Sequence, residues 1–490
     1  MLDITNSAEA KAIDEYMINT LQIPELVLME QAAMAVSRKI MENIPCGDRV
    51  LCVAGSGKNG GDALAVGRIL LMYGYDVYIG VLSNDLPEDV KKNLLFFLHT
   101  DRLTLLTTDS LDNFFSKHAS AIVDGLFGIG LHRPVEGICA EIIDRINAQQ
   151  GAKIFSIDIP SGIFADTGIG GKAVFADETV TFGYAKPGHL LFPGRKHTGR
   201  LTISTVGIDD GRMPLNTKWV DTCSLPRREQ DTHKGNYGKL AVMAGSKGMA
   251  GAAILSLKAA IAGGTGLTTL LSCSYVCDAA QNTVFPATAR CISSEADYIS
   301  CSEPFYHFFD GYSAIAAGPG LGRNKDTLSI VTALLRSDIP KVIDADALNL
   351  LSEDLPVFGQ NTVLTPHIGE FSRLSGLLPT QIIADRLTCA RKFAIKYKVV
   401  LLLKGATTIV TDGITAYLVT AGTPAMAKGG SGDVLTGVVG ALLAQGMPAI
   451  EAAYTAAFFC GKAAEMAVLN KGEYAFTPED TIAHLSSVLG

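Results

Sequence analysis

The chain has 490 residues, of which 48% are hydrophobic and 18% are charged, with a formal net charge of -8 and a pI near 5.6. This length exceeds what one hydrophobic core usually supports, so we expect two or three domains. The acidic balance and the lack of any basic run argue against a nucleic-acid-binding surface. We therefore expect the partners to be small molecules and further copies of the chain in a homo-oligomer.

The sequence shows no pattern of a membrane-spanning or secreted protein. Its longest strongly apolar run, Val399 to Leu403, is far too short to cross a bilayer, and its first residues lack a basic segment followed by an apolar one. We expect a cytoplasmic protein without membrane contact. The ten cysteines are scattered, and only Cys273 and Cys277 lie close together. We expect reduced, mostly buried thiols and neither a zinc site nor a disulfide framework.

The first 75 residues predict the start of an α/β fold. Helical patterns cover residues 8–18 and 26–40, and a β-branched, apolar run over 49–55 predicts a buried strand. A glycine loop over 55–62 and a helix over 63–73 follow. Strand, glycine loop and helix in this order are typical of an α/β domain.

The glycine loop formally matches the dinucleotide fingerprint G-x-G-x-x-G over residues 55–60, which is found in NAD-dependent dehydrogenases. The match is weak, because Lys58 and Asn59 place polar side chains where the turn of a dehydrogenase is usually featureless. The Gly-Lys-Ser/Thr ending of a P-loop is also absent. The loop still suits a nucleotide-like ligand, with backbone amides facing a phosphate.

Two of the next strands carry a carboxylate near their carboxyl ends. Strand patterns cover 76–82, 120–130 and 153–162, and they contain Asp124 and Asp158. Ligands bind at this edge of an open parallel sheet, although either aspartate alone could merely cap a loop. Two of them beside a glycine loop indicate a site.

The motifs Asn59-Gly60-Gly61-Asp62, Val123-Asp124-Gly125-Leu126-Phe127-Gly128-Ile129-Gly130 and Ser156-Ile157-Asp158-Ile159-Pro160-Ser161-Gly162 stand in order in the first half. With them, residues 1 to about 210 resemble the NAD(P)H-hydrate epimerases, the YjeF N-terminal family. The resemblance implies a Rossmann-like three-layer domain over residues 1–215. It also implies that this domain interconverts the R and S epimers of hydrated NADH and NADPH (NADHX and NADPHX) at C6.

The same resemblance implies the roles of single residues. Asp158 is the implied acid/base, and Asn59, Asp124 and Ser161 are the implied ligands of a potassium ion. The family commonly has a second asparagine where this chain has Lys58. The implied substrate contacts are Lys58, Asn59, Gly60, Gly61, Asp62, Gly128, Ile129, Gly130, Leu131, His132, Arg133, Pro134 and Asp158.

A second α/β pattern follows a break in the periodicity. Residues 209–233 hold Pro214, Pro226 and paired charges without sustained periodicity, and we interpret them as a linker. A new strand starts at Lys239 and leads through a glycine loop to an alanine-rich helix over 252–262. A strand over 314–317 then runs into the tight glycine loop 318–322.

Several later strands end in polar groups. The segments 342–348 and 363–370 do so, the second with His367, which alone would more often be a satisfied structural histidine. The strand 399–403 leads to a loop with one cation and two hydroxyls, Lys404 to Thr408, and a hairpin turn at Asp412-Gly413 follows. Such a loop suits adenosine phosphates.

The stretch Ala427 to Gly437 joins a glycine turn, a helix start and one carboxylate. The apolar spacing that follows it predicts a helix whose N-terminus holds Ser431 to Asp433. Unpaired N–H groups and the helix dipole favour an anion there, and Asp433 is placed to take a proton from a hydroxyl that attacks a phosphoryl group. The alternative is that Ser431 or Asp433 only caps the helix.

Four motifs of the second half, Gly318-Pro319-Gly320-Leu321-Gly322, Thr365-Pro366-His367-Ile368-Gly369-Glu370, Lys404-Gly405-Ala406-Thr407-Thr408 and Gly429-Gly430-Ser431-Gly432-Asp433, stand in order. With them, residues 225–490 resemble the ADP/ATP-dependent NAD(P)H-hydrate dehydratases, which have a ribokinase-like α/β fold. The resemblance implies that Asp433 is the base that activates the C6 hydroxyl for phosphorylation, and magnesium is expected with the ADP or ATP. The implied nucleotide contacts are Lys404, Gly405, Ala406, Thr407, Thr408 and Gly432, and the implied hydrate contacts are Ala252, Gly322, His367 and Asp433.

Two other functions compete with this interpretation. One is a ribokinase-type small-molecule kinase with a regulatory N-terminal domain, which would accumulate a phosphorylated product. The other keeps the N-terminal half as a ligand-binding scaffold, but an acid/base group such as Asp158 beside a cation site argues against it. We therefore predict a bifunctional enzyme of nicotinamide nucleotide repair, because an epimerase fused to an enzyme that accepts one epimer makes chemical sense.

Overall fold

A computed structural model describes the chain in two compact units. The units are Asp3–Leu215 and Asn216–Gly490, and Met1–Leu2 groups with the second. No helix in the described part of the chain is both long enough and apolar enough to span a membrane. The described residues are 1–83, 86–208, 210–211, 213–293, 299, 308–352 and 355–489.

The first unit is built on a parallel sheet of seven strands in the order β4-β3-β2-β5-β6-β7-β8. The chain reverses its direction across the sheet between β2 and β5, which creates a crevice at their carboxyl ends. A short strand, β1 (Leu2–Ile4), precedes the sheet in sequence. The seven strands are β2 (Arg49–Ala54), β3 (Asp76–Val81), β4 (Leu103–Leu105), β5 (Ala121–Gly125), β6 (Lys153–Ile157), β7 (Glu178–Phe182) and β8 (Arg200–Ser204).

Helices cover both faces of this sheet, so the predicted three-layer, Rossmann-like architecture is confirmed. Helices α2, α3 and α4 share one apolar cluster with the strands, and α5 and α6 share another. The residues 16–20 extend α1 as a short π-helix. The helices are α1 (Ser7–Glu15), α2 (Glu25–Asn43), α3 (Lys58–Met72), α4 (Glu88–Leu95), α5 (Thr108–Phe115), α6 (Gly137–Asn147), α7 (Pro187–Leu190) and α8 (Gly194–Thr198).

Helix α3 begins five residues earlier than the sequence predicts. Residues 58–62 were expected to be a loop, yet they form the first turn of the helix, which starts at Lys58. Glycine disfavours a helix interior, but here close packing decides. A Cβ on Gly60 would overlap the carbonyl oxygen of Gly55, so only glycine lets the helix start this close to the strand.

The second unit holds a larger mixed sheet, in which the strands from β9 to β18 follow the order β9-β18-β17-β16-β15-β14-β13-β10-β11-β12. Strand β17 is antiparallel to both β16 and β18, and its pairing with β18 confirms the hairpin at Asp412-Gly413. The strands are β9 (Thr217–Val220), β10 (Lys239–Met243), β11 (Leu267–Cys273), β12 (Thr288–Ser293), β13 (Ala314–Ala317), β14 (Lys341–Ile343), β15 (Thr362–Leu364), β16 (Val400–Leu403), β17 (Thr408–Thr411) and β18 (Ala416–Val419).

Five helices of the second unit pack on one face of its sheet. Helices α9, α10, α16, α17 and α18 share one continuous apolar cluster with the strands. The helices are α9 (Ala250–Ala262), α10 (Ser274–Gln281), α11 (Lys325–Leu335), α12 (Ala345–Leu351), α13 (Ile368–Ser375), α14 (Pro379–Ala384), α15 (Arg386–Tyr397), α16 (Ser431–Ala444), α17 (Ala449–Ala475) and α18 (Pro478–Leu489). The α/β class predicted for this half is confirmed.

Two further sequence-based expectations are wrong in detail. The stretch interpreted as a linker contains strand β9, which pairs in parallel with β18; four residues are too few for a periodic signal. The cysteines are not mostly buried, because only four of the nine described ones are, and Cys46 and Cys291 are exposed. All nine are free thiols. Residues 209 and 212, which belong to the predicted linker, lie outside the described residues.

Candidate active sites

The crevice of the first unit holds a cluster of buried oxygen atoms around the backbone of Phe127. The fully buried Asp124 accepts hydrogen bonds from the hydroxyls of Ser156 (2.8 Å) and Ser161 (2.5 Å) and from the Ser161 N–H (2.9 Å). Asn59 donates its Nδ2–H to the Phe127 carbonyl (3.0 Å), and the Phe127 N–H donates to Ser161 Oγ (2.9 Å). The structure therefore brings together Asn59, Asp124 and Ser161.

This cluster has the chemistry of a site for an alkali cation. Burial raises the pKa of Asp124, hydrogen bonds from Ser161 and Ser156 only partly oppose it, and no basic side chain of the described residues pairs with it. The donors are all hard oxygen atoms with one carboxylate among them. No described group of three or more His, Cys, Asp or Glu side chains is arranged to hold a metal ion. Asn59, Asp124 and Ser161 therefore offer oxygen ligands of the kind that a hard cation prefers.

Asp158 follows β6 directly, and only one oxygen of its carboxylate accepts hydrogen bonds from the described residues. Lys186 Nζ (2.6 Å) and Thr181 Oγ1 (2.8 Å) both donate to Oδ1, and no described residue donates to Oδ2. Burial alone would raise the pKa of Asp158, but the charge and hydrogen bond of Lys186 outweigh it and lower the pKa. The carboxylate is therefore ionised at neutral pH and keeps one oxygen for a ligand.

A buried histidine fixes the backbone of Asp158, which adopts the left-handed conformation (φ 63°) that non-glycine residues rarely take. His189 Nδ1 accepts a hydrogen bond from the Lys186 N–H (2.9 Å), so Nε2 carries the proton and donates to the Asp158 carbonyl (2.8 Å). Burial and the charge of Lys186 lower the pKa of His189 to about 4. The histidine is thus neutral at physiological pH and holds the Asp158 backbone in place.

Sequence reasoning missed these supporting residues. All three come well after Asp158 in the chain: Thr181 lies in β7, Lys186 directly precedes α7, and His189 lies in α7. The available signal was a cation and an imidazole on either side of the Pro187-Gly188 turn.

Two further carboxyl groups lie near Asp158. Burial and repulsion by Asp158 raise the pKa of Asp14, although Lys58 opposes this shift. The pKa of Asp62 lies well above its usual value, because Asp62 is buried and is repelled by Asp158 and Asp14. Asp14, on α1, was also missed. This crevice therefore combines an ionised carboxylate with carboxyl groups that hold their protons more tightly.

Of the other residues predicted for this site, Gly60 and Gly61 are buried in the first turn of α3, and the rest are Lys58 and residues of the loop after β5. Lys58 is exposed and forms an ion pair with Glu25 (2.5 Å). Gly128 packs against the Asn59 side chain, and Ile129 packs against a small apolar cluster that includes Ile159. The loop between β5 and α6 then leaves four predicted residues exposed and one, Leu131, half-buried. The exposed residues are Gly130, His132, Arg133 and Pro134.

In the second unit, Asp433 is the third residue of α16, so the predicted helix start is confirmed. The helix begins after Gly430, whose φ of 99° favours glycine, and no side chain forms a capping hydrogen bond. The alternative that Ser431 or Asp433 merely caps the helix is therefore wrong. The Ser431 N–H donates to the Lys428 carbonyl (3.4 Å), whereas the N–H groups of Gly432 and Asp433 have no hydrogen-bond partner among the described residues and remain available for an anion.

A buried ion pair lies beside this helix start. Lys404 Nζ is 2.9 Å from Asp344 Oδ1 and 3.9 Å from Glu370 Oε2, and Thr436 Oγ1 donates to Asp344 Oδ2 (2.8 Å). A Cβ on Gly432 would lie 3.5 Å from Lys404 Nζ. The structure thus brings together Lys404, Gly432 and Asp433. Asp344 follows β14 and was not predicted as a site residue.

The electrostatics of this cluster tune Asp433. Burial, together with repulsion by Asp344, raises the pKa of Asp433 to about 6, and Lys404 offsets only part of the shift. Burial alone would lower the pKa of Lys404, but Asp344 and Glu370 raise it, so the ammonium stays charged. A carboxylate with a pKa near the working pH suits general-base catalysis.

His367 has a structural function in this arrangement. Its Nδ1 accepts hydrogen bonds from the N–H groups of Gly369 (3.0 Å) and Glu370 (3.3 Å), and Glu370 Oε2 accepts from the His367 N–H (2.9 Å). This capping box starts α13. The histidine therefore orients Glu370 toward Lys404, and its own ring is about half exposed.

Other predicted residues line the crevice where the second sheet reverses direction, between β10 and β13. Gly322 donates its N–H to Asp346 Oδ2 (3.0 Å), and Gly320 packs against Ala252 in the first turn of α9. The nucleotide-type loop follows β16: Gly405 and Ala406 are exposed, Thr407 is buried, and Thr408 Oγ1 donates to the Gly405 carbonyl (3.3 Å).

Comparison with known proteins defines the class. Residues 25–188 match the model of the YjeF-related protein N-terminus, and residues 240–486 match that of NAD(P)H-hydrate dehydratase. A ribokinase-like superfamily protein from Enterococcus faecalis V583 superposes with a TM-score of 0.50 at 24% identity, covering 56% of this chain and 96% of its own, and shows the fold of the second unit. The class is a fusion of a YjeF-type domain with a ribokinase-like dehydratase domain.

Two relatives match over almost their whole length. The bifunctional NAD(P)H-hydrate repair enzyme Nnr of Moorella thermoacetica is 35% identical over 513 residues, covering 99% of this chain and 96% of its own. The enzyme of the same name from Thermofilum pendens is 33% identical over 509 residues, covering 100% and 96%. The chain belongs to the family of bifunctional NAD(P)H-hydrate repair enzymes.

Proposed function

We propose that residues 1–215 interconvert the R and S epimers of NADHX and NADPHX, and that residues 225–490 dehydrate the S epimer with ADP or ATP. The products are NAD(P)H, AMP or ADP, and phosphate. One observation carries the proposal: each unit holds its own carboxylate suited to proton transfer. Asp158 is ionised with a free oxygen, and Asp433 has a pKa of about 6.

In the first unit, Asp158 Oδ2 moves the proton of the C6 hydroxyl. Inverting C6 requires its bond to oxygen or to the ring nitrogen to break and re-form, and both routes transfer a proton at the hydroxyl. Lys186 keeps the carboxylate ionised, and the more tightly protonated Asp62 is a neighbouring acid. A potassium ion held by Asn59, Asp124 and Ser161 would supply positive charge beside the oxygen atoms of the substrate.

In the second unit, Asp433 accepts the C6 hydroxyl proton as that oxygen attacks the terminal phosphoryl group of the nucleotide. The N–H groups of α16 and the Lys404 ammonium stabilise the negative charge. The C6–O bond then breaks, phosphate leaves, and loss of a proton from C5 restores the ring double bond.

We assign the nucleotide to residues 404–408 with Gly432, and the hydrate to Ala252, Gly322 and Asp433, with His367 acting through Glu370. The described residues offer no cluster of three acidic or histidine ligands, so magnesium would be held mainly by the phosphates. The cytoplasmic location and the homo-oligomer stay predictions.

Incubation with enzymatically prepared NADH hydrate and ADP or ATP tests the proposal. We expect NADH absorbance to recover in step with free phosphate, and Asp433→Asn to slow recovery by about 10²–10⁴-fold. The variant should keep its nucleotide affinity. A stable phosphorylated product without NADH would identify a kinase instead.

A further inference from the structure

Arg386, the first residue of α15, lies against the loop 404–408 that we assign to the nucleotide. Its Nη2 donates a hydrogen bond to the Thr407 carbonyl (3.0 Å). A Cβ on Gly405 would collide with the guanidinium, so the loop passes directly over it. The side chain is 7% exposed.

The guanidinium has almost no partner within the described residues. Nε is buried without a hydrogen bond, Nη1 forms none, and no described carboxylate pairs with the side chain. Burial lowers the pKa of Arg386 to about 10, so the group still carries its charge at neutral pH. A buried cation without a counter-charge is strongly destabilising.

A structural function explains only part of this arrangement. One carbonyl oxygen needs one neutral donor, whereas arginine brings a full charge and five N–H groups in a fork that matches phosphate. The nucleotide proposed for this loop carries the missing negative charge.

Resting on the proposed function, we propose that Arg386 binds a phosphate group of the ADP or ATP co-substrate. The guanidinium then pairs with the phosphate through a charge-assisted hydrogen bond, while Nη2 keeps its bond to Thr407. Two cations lie at this loop, Lys404 within it and Arg386 beside it. Lys404 is already paired with Asp344, whereas no carboxylate of the described residues compensates the charge of Arg386.

Two substitutions in the full-length protein separate charge from shape. Arg386→Lys keeps a cation, and Arg386→Gln keeps a neutral N–H donor for the Thr407 carbonyl. Affinity for ADP and for adenosine is measured by calorimetry without hydrate. We expect Arg386→Gln to weaken ADP roughly 10- to 100-fold and to leave adenosine within about twofold, because a charge-assisted bond is lost. Arg386→Lys should recover part of the ADP affinity.

Arg391 on the same helix provides a matched control. Its Nη2 donates to the Asn216 carbonyl (2.6 Å) and to Thr217 Oγ1 (2.9 Å), away from the loop. We expect Arg391→Gln to bind ADP like the wild type, which shows that loss of an arginine from α15 does not by itself weaken the nucleotide.

Three outcomes would overturn the inference. These are unchanged ADP affinity in Arg386→Gln, an equal loss for ADP and adenosine, and weaker ADP binding by the lysine variant than by the glutamine variant. The last two would mean that Arg386 only shapes the loop. Failure of the wild type to bind ADP or to regenerate NADH would reject the proposed function itself and is seen before any variant is made.

Discussion

At the scale of single residues, the pKa of Asp433 predicts the pH dependence of dehydration. A base must be deprotonated, so the rate at saturating hydrate and ADP should fall as the pH drops through about 6. Asp344→Asn removes a repelling charge and frees Lys404 from its partner, and both changes lower the pKa of Asp433. The acid limb of the kcat profile should therefore move to lower pH.

The opposite substitution checks the sign. Lys404→Met removes an attracting charge, so the acid limb should move above that of the wild type when ADP is raised to saturation. If the acid limb of the kcat–pH profile does not move in either variant, a group other than Asp433 controls the profile.

Lys186 predicts the pH dependence of the first activity. Lys186 lowers the pKa of Asp158, so the Asp158 carboxylate of the wild type should stay ionised between pH 5 and 8. Protonation of Asp158 should therefore not reduce epimerisation in this range. Lys186→Met removes the strongest influence that opposes burial, so the pKa of Asp158 rises. Epimerase activity should then fall more at pH 5 than at pH 8, as measured by chiral separation of the hydrates.

Thr181→Val serves as the control for that variant. It removes the other hydrogen bond to Oδ1, and one acceptor of Lys186 Nζ, but leaves the cation in place, so the pH profile should shift less than in Lys186→Met. A uniform loss of activity at every pH in Lys186→Met would mean that the lysine only supports the fold.

The sequence predicted the residues whose position follows from local pattern. Asp124 and Asp158 stand at strand ends and Asp433 at a helix start, and periodicity located all three. It could not predict that Lys186 contacts Asp158 or that Arg386 contacts the loop 404–408, because these partners lie on other elements. Such residues become visible only when tertiary contacts bring distant segments together.

At the scale of elements, helix α3 shows where local propensity misleads. Its first turn contains Gly60 and Gly61, which favour a loop in isolation. Tight packing against the backbone of Gly55 and the side chain of Met29 overrides this preference. The polar side chain of Asn59 is thereby fixed on a helix beside the oxygen cluster, which a mobile loop would not achieve.

Gly60→Ala should therefore destabilise the first unit even though alanine favours helices. The gain in propensity is about 0.5–1 kcal/mol, whereas overpacking typically costs about 1–3 kcal/mol. The clash is with backbone, so the loss should dominate. The loss of stability is measured as a lower urea midpoint, read from the epimerase activity that remains after exposure to increasing urea concentrations.

Gly57→Ala is the matched substitution in the same turn. Nothing lies within 4 Å of a Cβ at this position, so its urea midpoint should stay near the wild type. Equal midpoints for the two variants would contradict the packing explanation of this helix start.

At the scale of the whole molecule, each unit has its own sheet, its own core and its own site. All residues proposed for epimerisation lie in Asp3–Leu215, and all those proposed for dehydration lie in Asn216–Gly490. A substitution at one carboxylate should therefore remove one activity and leave the other. This separation allows each half to be tested in the intact chain.

A mixed pool of R and S hydrate provides the test of the coupled reactions. The wild type should consume the whole pool in one phase when ADP is present, because the epimerase feeds R into S. Asp158→Asn removes the proton transfer of the first unit. Its time course should show a fast phase that consumes only the S fraction and a slow tail set by uncatalysed epimerisation.

Mixing two variants completes this prediction. Asp433→Asn keeps the first site, so adding it to Asp158→Asn should abolish the tail, although neither variant alone consumes the pool quickly. Rapid, complete consumption by Asp158→Asn alone would mean that Asp158 is not the epimerising group or that the second unit accepts both epimers. Chiral separation of the hydrate left midway decides between these, because only a pool kept at epimeric equilibrium indicates continued epimerisation.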